Sequence, residues 1–173
     1  MDIADSEQFL RQQLSCARLL LGRLNTETGL PEQRALRQSA MLCLELGLSQ
    51  YFSNIFHLPV GNLQSLTRHL ERGAENAPAS IPSSEFIELM SQGRWLFEFD
   101  SAAASLSSLP STWNKANASG ESVKQIATDN LIASSSASDR VPHWSEISTE
   151  TLQAWLASAE ELLGRYSRFN QEY

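Results

Sequence analysis

The sequence predicts an all-α fold: an antiparallel helical bundle of four or five helices, with a long Ser/Ala-rich loop before the last helix. Three observations lead there. Leucines recur at alternating spacings of three and four residues, the period that places them on one face of a helix. Gly and Pro fall between these periodic segments, where helices must stop. No segment carries a convincing strand pattern. At 173 residues the chain reads as a single domain, residues 1–173, large enough to bury about 70% of its unfolded surface without metals or disulfides.

The first helix is expected over Ser6–Leu24, because Leu10, Leu14, Ala17, Leu21 and Leu24 form one seam and Arg11, Gln12, Ser15 and Arg18 lie away from it. Gly29 stops it, and Pro31 suits the first turn of the next. The second helix runs from Pro31 to about Leu58, with Leu36, Ala40, Leu44, Leu48, Tyr51 and Ile55 as a broad apolar arc, and Pro59 ends it. Leu42, Leu46 and Phe56 fall outside that arc, so this helix is expected to meet something on a further flank. Asn62–Arg72 reads as a short third helix closed by Gly73. Ser83 or Ser84 would cap a fourth, running through FIELMSQGRWLFEFDSAAASLSSL, with Gly93 and Asp100–Ser101 as the places where it could bend. Residues 111–147 have little periodicity and are expected to form a long irregular segment, pinned at Trp113, Ile126, Leu131 and Trp144 if at all. Ser148 or Thr149 caps the last helix, where Leu152, Leu156, Ala159, Leu163 and Tyr166 resume the four-three spacing.

Charge narrows the classes of partner. The net charge is −7, from 13 basic and 20 acidic residues, and such a surface repels a phosphate backbone. The balance is uneven: residues 1–75 hold seven Arg against eight acids, residues 76–173 six basic against twelve acidic residues. Only the first half could offer a basic patch, so nucleic acid is a disfavoured partner. The opening MDIADSEQF lacks the basic, apolar and small-residue pattern of a secretory signal, which predicts a cytoplasmic location. A membrane span is not expected either, since Ser39–Leu58 contains Glu45, Ser49, Gln50, Ser53 and Asn54.

Signals for chemistry are weak. Cys16 and Cys43 stand far apart in sequence with no metal-ligand spacing, and His57, His69 and His143 do not form the Glu-x-x-His pairs of a di-iron bundle. No Gly-x-Ser-x-Gly, P-loop or dinucleotide fingerprint occurs. No cofactor and no metal are expected, and the reading leans away from an enzyme.

Two constellations remain. On helical wheels Asp100 falls beside Leu96, Phe97, Ala103 and Ala104, Arg37 in line with Leu44 and Leu48, and Glu45 on the flank of the same arc. These three could line an internal pocket in which Arg37 grips an anion and Asp100 or Glu45 orients it. The structural alternative is that Asp100 caps a turn where the fourth helix kinks, Arg37 snorkels, and Glu45 reaches solvent at the rim. The second constellation is Trp95, Phe99 and Leu106, which share a helix face separate from the main one. Left uncovered, that face is a protein-binding surface; covered, it meets Trp113 or Trp144.

The segments RQQLSCARLLLGRL, RALRQSAMLCLELGLSQYF and LQAWLASAEELLGRYSRF together resemble a group of small gammaproteobacterial helical proteins classed as a domain of unknown function. The resemblance covers about a third of the chain through leucine-rich helix patterns. It implies a helical bundle in a bacterial cytosol and brings no activity or site residues. The expected function is contact with a protein partner or with a second copy of the chain, as a homodimer, and the alternative is a small-anion-binding protein or enzyme.

Overall fold

The computed structural model describes residues 3–24, 29–74, 81–107 and 143–171. These form six α-helices: α1 (Ile3–Arg23), α2 (Leu30–Ile55), α3 (Leu63–Ala74), α4 (Ile81–Leu89), α5 (Trp95–Ala104) and α6 (Thr149–Gln171). Short 3-10 turns follow α5 at Ser105–Ser107 and precede α6 at Trp144–Glu146. The chain is an all-α helical bundle, as its leucine periodicity predicts, and the described residues contain no strand. The expected irregular segment lies outside the described residues except for its last five, and so do Trp113, Ile126 and Leu131.

Three long helices form the frame. The seam on α1 buries Leu10, Leu14, Ala17 and Leu21, each leucine stabilising by about 2 kcal/mol on leaving water. Helix α2 lies antiparallel to α1, and Gly47 permits their close approach: a Cβ there would stand 2.8 Å from Leu10 Cδ1 and 3.0 Å from Gln13 Cβ. Helix α6 is also antiparallel to α1, since Glu160 pairs with Arg18 and Ser167 Oγ donates to Glu7 at 2.9 Å. The apolar arc of α2 is wider than the wheel reading. Met41 and Phe52 are as buried as Leu44 and Leu48, because α3, α4 and α5 cover a flank that α1 and α6 leave open. Phe52 is the hub there, with ring centroids 4.5 Å from Phe86, 5.8 Å from Phe56 and 5.9 Å from Tyr166.

Several boundaries differ from the periodic reading. Helix α2 ends at Ile55 rather than near Leu58, because His57 takes a left-handed φ of 52°. The Leu58 N–H then reaches back to Ser53 O at 2.9 Å and the His57 N–H to Asn54 O at 3.2 Å, which closes the helix as a Schellman turn does. The expected fourth helix is two. Gly93 adopts φ 80°, and the chain turns there before α5 begins. Ser83 and Ser84 do not cap α4, which has already started at Ile81 with Pro82 in its first turn. For α6 the expected cap is present: Ser148 Oγ accepts from the Thr151 N–H at 3.1 Å.

Candidate functional site

The candidate pocket residues sit on two facing helices, Arg37 and Glu45 on α2 and Asp100 on α5. Asp100 is buried, but it caps no kink in its own helix. Its carboxylate accepts hydrogen bonds from the backbone N–H groups of Leu63 and Gln64, the first two residues of α3. Asn62 Oδ1 accepts the next N–H, that of Ser65, at 2.9 Å. Together the two side chains satisfy the amides that a helix start leaves unpaired. Asp100 therefore ties α5 to the start of α3.

Glu45, on the helix facing α5, lies near enough to Asp100 to feel its charge. Burial, and then the neighbouring Asp100 carboxylate, push the Glu45 carboxyl above its ordinary range. Burial pushes Asp100 up as well, against the pull of the two α3 amides. Each of the two carboxyls therefore keeps its proton to a higher pH than a free one would. One turn and two turns beyond Glu45 on α2, the hydroxyls of Ser49 and Ser53 are buried with no hydrogen-bond partner among the described residues.

Arg37 does not complete this pair. Its Nη1 donates to Ile147 O at 3.2 Å and its Nε faces Gln33 O at 3.4 Å, which fastens the turn before α6 onto α2. The proposed grouping of Arg37, Glu45 and Asp100 is thus corrected. The Asp100 carboxylate is felt at Glu45, while the guanidinium is bound to backbone carbonyls two helical turns away, and Glu45 is half-buried, as a residue on the flank of the arc would be. Such a site anchors a helix end, and among the described residues Arg37 is not free to grip an anion there.

The aromatic constellation is corrected too. Phe99 is fully buried, its ring 5.6 Å from that of Trp155 on α6 and close to perpendicular to it. Trp95 and Leu106 are half-buried against the same core. The cover comes from α6, whose Trp155 the wheel reading had not placed there. Trp144 contributes at the end of α5, where its backbone N–H donates to Ser105 Oγ at 2.9 Å.

Leu42 and Leu46 on α2 are 47% and 52% exposed, and Leu19 on α1 is 71% exposed. The further flank of α2 thus divides. Phe56 meets Phe86 of its own chain, 5.2 Å between ring centroids, while Leu42 and Leu46 face outward. Counting along the antiparallel pair from the Gly47–Gln13 contact brings Leu19 level with Leu42. Leu19 and Leu42 are thus level along the α1–α2 hairpin, Leu46 lies one turn beyond Leu42, and Cys16 and Cys43 lie within a turn of them. Residues 8–24 and 33–44 contain no acid at all, in a chain of net charge −7. Sequence reasoning singled out Leu42 and Leu46 but missed Leu19, which lies opposite the seam of its own helix and gains neighbours only once the hairpin register is known.

No helix among the described residues is long and apolar enough to cross a membrane. No protein-family model, curated protein or solved structure matches the chain.

Proposed function

We propose that this chain is a non-catalytic, cytosolic helical-bundle protein that acts through protein contacts, and that the outer face of the α1–α2 hairpin pairs with a second copy of itself. One observation carries the reading. Three large leucines stand 47% to 71% exposed on the α1–α2 hairpin, and residues 8–24 and 33–44, which carry Leu19 and Leu42, contain no acidic residue in a chain of net charge −7, Glu45 beside Leu46 being the nearest acid on α2. Contiguous apolar surface on a soluble protein marks a contact site. Two molecules of the same negative charge approach best through a face poor in it, and a two-fold pairing lets one patch serve both.

The alternative of an anion held by Arg37, Glu45 and Asp100 lacks comparable support, because Arg37 is committed to backbone carbonyls and two carboxylates repel an anion. Size-exclusion chromatography with light scattering tests the proposal. The wild type should shift from monomer to dimer with concentration, and Leu42→Lys combined with Leu46→Lys should stay monomeric with unchanged helical circular dichroism. A wild type that remains monomeric up to about 1 mM, the weakest association worth the name, would end it.

A further inference from the structure

We infer that Cys16 and Cys43 form a redox-sensitive dithiol that a hydroperoxide closes into a disulfide clasping α1 to α2. The register of the hairpin carries this. Gly47 lets the two backbones come so close that a Cβ at that position would stand 3.0 Å from Gln13 Cβ. Cys43 lies about one turn before Gly47 on α2, and Cys16 about one turn after Gln13 on α1. Because the helices are antiparallel, these two steps run in the same direction along the interface, so the cysteines come level on its outer rim. Cys16 is exposed and Cys43 half-buried, an arrangement with one thiol open to a reagent and the other beside it. The proximity is felt electrostatically as well, since burial and then the Cys16 sulfur push the Cys43 thiol up.

The chemistry balances with a peroxide as the oxidant. The Cys16 thiolate attacks one peroxide oxygen, the O–O bond breaks, and the first water leaves with Cys16 as a sulfenic acid. The Cys43 sulfur then attacks the Cys16 sulfur, an S–S bond forms, the S–O bond breaks, and the hydroxide leaves as the second water after taking a proton. Two thiols are oxidised and one peroxide is reduced to two waters. The cysteines lie within a turn of leucines of the face proposed above for association, yet the inference does not depend on that association.

The test is peroxide titration of the full chain, read by free-thiol count, intact mass and non-reducing electrophoresis. One equivalent of hydrogen peroxide should remove both thiols together and lower the monomer mass by two hydrogen atoms, with dithiothreitol restoring both. Peptide mapping should link the Cys16 and Cys43 peptides. Cys43→Ser should instead accumulate a dimedone-reactive sulfenic acid at Cys16, and Cys16→Ser should leave Cys43 largely unreacted under the same treatment. The same intramolecular bond should form in the monomer-directed Leu42→Lys/Leu46→Lys background, which separates this inference from dimerisation. Over-oxidation of Cys16 with Cys43 still free, or a disulfide found only between two chains, would overturn it.

Discussion

Replacing Asp100 by Asn and by Ala tests whether its carboxylate serves α3 at an electrostatic cost. The side chain accepts from the Leu63 and Gln64 amides and is only 8% exposed. Ala removes both acceptors and takes the side-chain partner from two amides at the start of α3. The expected loss is about 2–4 kcal/mol, from a lost cap and a stranded donor together. Asn keeps an acceptor oxygen and nearly the same shape but carries no charge. Burial raises the Asp100 carboxyl above its unfolded value, and Glu45 is raised too. A carboxyl raised on folding contributes stability that is complete below its unfolded pKa and is lost as pH rises through its folded one. Wild type should therefore lose ground to Asp100→Asn as pH increases. The two should lie within about 1 kcal/mol of each other near pH 4, with Asn gaining steadily toward pH 7. Urea denaturation at a series of pH values measures the difference directly, and subtracting the two curves removes every titrating group not coupled to Asp100, Glu45 being the coupled one. A difference that moves the opposite way, with wild type gaining on Asn as Asp100 ionises, would refute the claim that desolvation outweighs the two amide bonds. In the Glu45→Gln background the pH dependence of that difference should shrink, since the like-charged neighbour is gone.

Gly47→Ala should destabilise by about 1–3 kcal/mol in urea melts, because its Cβ would strike Leu10 and Gln13 and force the hairpin apart. His57→Gly should stabilise by about 1 kcal/mol in thermal or urea unfolding, since Gly relieves the left-handed backbone that ends α2 while the Schellman bonds remain. Trp155→Ala should cost about 3–5 kcal/mol, as it opens a cavity against the fully buried Phe99; a loss below about 1 kcal/mol would return the Trp95–Phe99–Leu106 face to the solvent side.

The bundle was legible in the sequence because its main signal is local. The seams of α1 and α6 follow from spacing within a single helix, and every seam residue named from spacing on α6 is buried. What escaped is pairwise. The end of α2 depends on a left-handed His57, and nothing in the sequence distinguishes that residue from one more helical position before Pro59. Asp100 was identified as a buried carboxylate, but its partners are amides of Leu63 and Gln64, more than thirty residues earlier, which a wheel cannot supply. The same holds for Phe99, whose cover is Trp155 on the last helix. Leu19 shows the converse: it is an exposed leucine of no note until the register set by Gly47 brings it level with Leu42.

Tyr51 offers the sharpest test of how well the interior is satisfied. Its side chain is 1% exposed, and its hydroxyl has no hydrogen-bond partner among the described residues. The neighbouring Tyr166, by contrast, donates to Pro82 O at 2.9 Å. Burial, and then the Glu7 carboxylate, push the Tyr51 phenol up, so it stays neutral. Glu7 itself is engaged by Arg11 at 2.7 Å and by Ser167 at 2.9 Å. A hydroxyl taken from water without a partner pays its desolvation unrelieved, so Tyr51→Phe, which deletes only that oxygen, should raise stability by about 1 kcal/mol. The ring contacts with Phe52 are kept. Differential scanning calorimetry alongside urea melts would measure it. A loss of more than about 1 kcal/mol would mean that the phenol is satisfied after all by an ordered water between α1, α2 and α6, and the core there would have to be read as hydrated rather than dry.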